Sequence, residues 1–121
     1  MRLLVPTILA AALTLSVGCV TNCTTIAIAS VNVTVTDPSG VHIPEAEVFY
    51  LPTDADWTDH EACEASPDGE TWICGWEVAG EIEIEVSADG YETQVETVFV
   101  DEDECHVIGE HLDVVLEPVT T

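Results

Sequence analysis

EIEIEVS, residues 81–87, is the stretch that decides the fold. Ile82, Ile84 and Val86 alternate with Glu81, Glu83 and Glu85, the period of two that marks a half-buried strand. One face is aliphatic and the other is carboxylate, so the sheet holding this strand has one dry and one wet side.

The same rhythm continues on either side. Val78-Ala79-Gly80 turns into this strand from another at residues 71–77, where Trp72, Cys74 and Trp76 share a face and are expected in the core. Ala88-Asp89-Gly90-Tyr91 closes it, and strands follow at 93–100 and 111–117, the last with Leu112, Val114 and Leu116 pointing one way. Upstream, Val31, Val33 and Val35 alternate with Asn32, Thr34 and Thr36 over residues 30–36. That strand ends at Asp37-Pro38-Ser39-Gly40, a turn in which proline sets φ and glycine admits a left-handed residue. Residues 46–51 form a strand between Pro44 and Pro52, neither of which suits the middle of a ladder. Residues 53–69 break the rhythm, with a short helix expected at about 56–62 and room for a seventh strand. The chain therefore reads as all-β: a single small antiparallel β-sandwich of six to seven strands.

The first 18 residues are not part of that fold. Arg2 followed by an apolar run to Val17 is built like an export signal, and it is shorter than the roughly 20 residues a spanning helix needs. Leu15-Ser16-Val17-Gly18-Cys19 resembles the lipobox of bacterial lipoproteins, with Ser16 and Val17 where Leu and Ala or Ser are more usual. The resemblance implies cleavage before Cys19, acylation of its thiol with a chain such as palmitate, and an exported protein lipid-anchored at the cell envelope, on the outer membrane or cell surface. The expected organisation is a signal peptide at 1–18, a lipidated N-terminus and short tether at 19–29, and the sandwich at 30–118. Removing residues 1–18 from 121 leaves 103, enough for one domain and too few for two cores.

The chain carries 24 Asp and Glu against one Lys or Arg, for a formal net charge of −23. That one cation is Arg2, so the mature part has no Lys or Arg at all. Nucleic-acid binding is excluded, because it needs cationic side chains to displace counterions from phosphate. The candidates that fit are a basic protein partner, divalent cations, or a solubilising coat suited to high salt.

If Cys19 carries lipid, four cysteines remain, an even number that favours disulfides in an exported domain. Cys63 with Cys74 and Cys23 with Cys105 is the preferred pairing. Cys63 with Cys105, leaving Cys74 as a buried thiol, is an open alternative.

No arrangement of catalytic groups stands out. Asp59-His60-Glu61 is contiguous, but neighbours on a strand or loop point apart, and no serine has a nucleophile-elbow context. His60, Cys63, Cys74, Cys105 and His106 supply zinc-type donors without a paired C-x-x-C, and oxidised cysteines could not serve. Asp54, Asp56, Asp59 and Glu61, and also Asp101, Glu102, Asp103 and Glu104, offer oxygens for calcium but lack the spacing and turn glycine of a calcium loop. No catalytic residue, metal site or cofactor is expected. Trp57, Asp54, Asp56 and Asp59 form the candidate ligand loop, since an exposed aromatic beside hydrogen-bond acceptors suits a sugar or a protein.

VNVTVTDPSGVHIPEAEVFYLP (31–52), GETWICGWEVAGEIEIEVSADGYET (69–93) and HLDVVLEP (111–118) together resemble the carboxypeptidase regulatory-like, transthyretin-like domain of exported bacterial proteins. The features that carry the likeness are Asp37 with Gly40, Pro44 with Ala46, Gly80, the alternation at 82–86, and Gly90-Tyr91, over nearly all of residues 30–118. The resemblance implies a non-catalytic accessory module with a structural or binding role. The acidic 53–69 insertion and the cysteines depart from that pattern. Two alternatives accompany it: a periplasmic accessory or inhibitor module docking on a basic partner, and a weak calcium- or carbohydrate-binding module.

Overall fold

The computed structural model describes residues 23–53, 56 and 58–120, which form strands and turns without a helix. The strands are β1 (Ala29–Thr36), β2 (Glu47–Pro52), β3 (Glu61–Ala62), β4 (Glu64–Ala65), β5 (Thr71–Trp76), β6 (Gly80–Ser87), β7 (Gln94–Glu102), β8 (Val107–Ile108) and β9 (Glu110–Val115). They make a sandwich of two sheets, ordered β4-β5-β1-β9 and β3-β2-β6-β7-β8. Six of them lie where the alternation places strands. The additional ones are two-residue pieces on sheet edges.

The alternating positions build the core. Val31, Val33 and Val35 of β1 and Ile82, Ile84 and Val86 of β6 are all fully buried, one set from each sheet. Val48, Cys74, Trp72, Val100, Val114 and Leu116 are among the buried residues that join them in the core. Burying an aliphatic side chain of this size contributes about 1.5–3 kcal/mol, so these two strands supply much of the driving force.

The structure corrects three expectations. The sandwich is not wholly antiparallel, because β1 lies parallel to β9, with Val33 opposite Leu112 and Val35 opposite Val114. A parallel pair requires a long crossover, and here the whole intervening domain provides it. The helix expected at about 56–62 gives way to β3, which pairs with the edge of β2 through Phe49 with Ala62 and Tyr50 with Glu61. Sheet-edge hydrogen bonds, together with the bond from the Cys63 N–H to the Val48 carbonyl, outweigh the weak local helical preference.

The third correction concerns Trp76, which is 45% exposed rather than in the core with Trp72 and Cys74. Gly75 is the reason. Its φ of 87° breaks the alternation, and a Cβ there would point at Tyr50 Cε2 and the Ser30 Cβ, into the sandwich. Two successive inward positions, Cys74 and Gly75, put Trp76 outside, where its indole N–H donates to Glu64 at 3.0 Å.

Both disulfides follow the preferred pairing. Cys63–Cys74 spans 11 residues at the point where the chain passes from β3 on one sheet to β4 on the other, so it staples the open side of the sandwich. Cys23–Cys105 spans 82 residues and ties the segment before β1 to the β7–β8 turn.

Candidate functional site

Of the candidate ligand loop, Asp54 and Trp57 lie outside the described residues. Asp56 and Asp59 join Thr58 and Glu61 around a shallow depression of about 330 Å³. The loop leaves β2 at Thr53, whose N–H and hydroxyl are both held by Glu81, the hydroxyl at 2.7 Å from Oε1. It returns at His60, whose Nε2–H donates to Glu83 Oε1 at 2.9 Å and lies 3.9 Å from Glu85. These anchors join the loop to the carboxylate face of β6, a connection that alternation along β6 could not reveal.

That face has more on it than carboxylates. Strand pairing sets Phe49 and Leu51 of β2 beside Glu85 and Glu83, and sets Val95, Thr97 and Phe99 of β7 beside Glu85, Glu83 and Glu81. Paired residues share a face. The outer surface of the five-stranded sheet is therefore a central row of three glutamates with Phe49 and Leu51 on one side and Val95, Thr97 and Phe99 on the other. Val95 is 54% exposed, Phe99 65%, and Ile108, beside Asp101 on β8, 48%.

A second cluster forms at the junction of the N-terminal segment with the turns after β5 and β7. Glu77, at a left-handed φ of 56°, directs its carboxylate to the N–H groups of Ile28 (2.9 Å) and Val107 (3.0 Å). It also accepts from His106 Nδ1 at 2.6 Å, and the far nitrogen of that ring meets the Thr24 hydroxyl at 2.9 Å. Desolvation pushes the Glu77 pKa up, but the two backbone N–H bonds and the imidazole together outweigh it and leave the carboxyl below its ordinary value. Residues 23–28, expected as a tether, are thus fastened at Cys23, Thr24 and Ile28. Carboxylate, imidazole and hydroxyl in line is also the connectivity of a nucleophilic triad. The carboxylate also accepts from two backbone amides on separate segments, so the cluster clamps those segments together. Only the fold brings residues 24, 77 and 106 together, so no local spacing announced it.

The acidic turn at 101–104 has a local use. Asp103 accepts from the N–H groups of His106 and Cys105, bonds that lower its pKa and shape the turn bearing the disulfide. Cys63, Cys74 and Cys105 are in disulfides and supply no thiolate, and among the described residues no three His, Cys, Asp or Glu side chains are grouped to hold a metal ion. Neither the models of known protein families nor the curated proteins compared with the chain give a match.

Proposed function

We propose that the chain is an exported lipoprotein, anchored by acyl groups on Cys19, whose sandwich is a non-catalytic binding or supporting module of carboxypeptidase regulatory-like type at the cell envelope. The observation that carries this reading is the oxidation of all four cysteines among the described residues into two disulfides, which belongs to an oxidising, exported setting. The lipobox-like Leu15 to Cys19 and the order of turns from Asp37 to Gly90-Tyr91 support the anchor and the family respectively.

On this reading Cys23 follows the lipidated residue by four positions, and such a segment reaches at most about 14 Å. With Cys23 bonded to Cys105, the sandwich is held close to the membrane surface rather than displayed on a long stalk. Intact mass of the mature protein tests the proposal. The expected mass begins at Cys19, carries acyl groups and lacks four hydrogens for the two disulfides. A mass starting at another residue without acyl groups would remove the anchor. Four free thiols besides Cys19 would remove the oxidising setting.

The accessory-module alternative, docking on a basic partner, is favoured by one specific observation: Val95 and Phe99 stand exposed beside the glutamates of β6.

A further inference from the structure

We propose that the outer face of the five-stranded sheet is a docking surface for a protein partner that presents Lys or Arg interleaved with aliphatic or aromatic side chains; this rests on the reading of the domain as a binding module. Glu81, Glu83 and Glu85 run down the middle of the sheet, on a strand covered on both edges by β2 and β7. Alternate residues of a strand are roughly 6.8 Å apart. Cationic side chains at alternate positions of a facing strand repeat at the same distance, so each glutamate has a geometric counterpart.

The apolar side chains beside the glutamates argue that this face is more than a solvated acidic surface. Phe99 and Val95 stand exposed directly beside Glu81 and Glu85, with Ile108 further along, and Phe49 and Leu51 are half-buried on the other side. Apolar groups around a charge exclude water from it when covered, which strengthens the pairing of that charge.

Charge selects the occupant. The mature chain has no Lys or Arg with which to neutralise the row, and His60 reaches Glu83 and Glu85 from the side. A second copy would bring an equally acidic face, and anionic lipid or nucleic acid would be repelled. The sheet face measures roughly 24 by 20 Å, below the ~800 Å² per partner of a standard stable interface, so the complex is expected to be transient and salt-sensitive.

The test is a ¹⁵N NMR titration of the mature chain with three probes: a peptide alternating Lys with Val and Leu, a peptide of equal charge alternating Lys with Ser, and calcium chloride. The expected result is saturable binding of the first probe at 50 mM salt, with shifts centred on Glu81, Glu83, Glu85, Val95, Thr97 and Phe99. The Lys/Ser peptide should bind at least about tenfold more weakly, and E83Q/E85Q and F99S should each weaken the first probe by about tenfold. Glu83 and Glu85 also hold His60, so E83Q/E85Q is expected to shift the signals of His60 and its neighbours in the free protein, whereas F99S, at an exposed position, is expected to keep the wild-type spectrum elsewhere. Equal binding of both peptides, shifts spread over all carboxylates, or the same residues responding to calcium would overturn the inference. Saturable binding centred on Asp56 and Asp59 would overturn it while leaving the binding-module reading intact. No saturable binding of either peptide would count against both, and concentration-dependent self-association through Phe99 would replace the partner with a second copy.

Discussion

Cutting the Cys23–Cys105 disulfide should destabilise the domain more through chain entropy than cutting Cys63–Cys74, although the latter is the more buried. The loops closed are 82 and 11 residues. In the chain-entropy treatment these sizes correspond to about 4.5 and about 2.8 kcal/mol at 25 °C. The larger value applies only if residues 23–28 stay in place without the bond, so that the cut releases the unfolded chain and not the native one. The structure indicates that they do stay: Thr24 is held by His106, the Ile28 N–H by Glu77, and the Ile28 carbonyl by the Glu77 N–H. Cys74 adds a packing contribution of about 1 kcal/mol to the other cut, because it is fully buried and its sulfur leaves a void. C23A/C105A and C63A/C74A avoid stray thiols. Equilibrium urea unfolding followed by tryptophan fluorescence should show losses of about 4.5 and about 4 kcal/mol respectively. A loss below about 1 kcal/mol for C23A/C105A would refute the reasoning, since it would mean that the N-terminal segment detaches and the Glu77 clamp does not hold it.

Ile84→Ala, at a fully buried position facing the opposite sheet, should cost about 2–5 kcal/mol in the same unfolding measurement, whereas Trp76→Phe should cost under about 1 kcal/mol. Gly75→Ala forces an L side chain into a left-handed φ of 87° and should cost about 1–3 kcal/mol, read as a lowered thermal midpoint. Acid should destabilise the fold. Val41, Ser39 and Gly40 N–H groups with the Ser39 hydroxyl lower the Asp37 pKa, Ser66 and the Glu70 N–H lower that of Asp68, and Asp103 and Glu77 are lowered as described. The unfolded chain binds these protons first, at the ordinary values of 3.8 for Asp and 4.5 for Glu. Their contribution is therefore complete above that range and is lost as pH falls through the depressed folded values. Urea midpoints in 0.5 M NaCl, where general self-repulsion is screened, should fall steadily below about pH 4, and a flat profile from pH 5 to pH 2 would contradict the hydrogen-bonded carboxylates.

What the sequence determined by itself was everything that depends on local period and turn chemistry. Alternation placed Val31, Val33, Val35, Ile82, Ile84 and Val86 inside, because a strand sends successive side chains to opposite faces regardless of its neighbours. Asp37 to Gly40 specified its own turn, since the Asp37 carboxylate reaches the Ser39 and Val41 N–H groups without tertiary help. The parallel seating of β9 on β1 needed the fold, because strand pairing across 70 or so residues is chosen by which arrangement buries both apolar faces. The outward turn of Trp76 needed it too, because Gly75 adopts its left-handed conformation against Tyr50 of the other sheet. So did the meeting of Thr24, Glu77 and His106, and the flanking of the β6 glutamates by Phe99, Val95, Phe49 and Leu51. Composition fixes how acidic the chain is; only the register of neighbouring strands decides which apolar side chains stand beside the charge, and hence what kind of surface it makes.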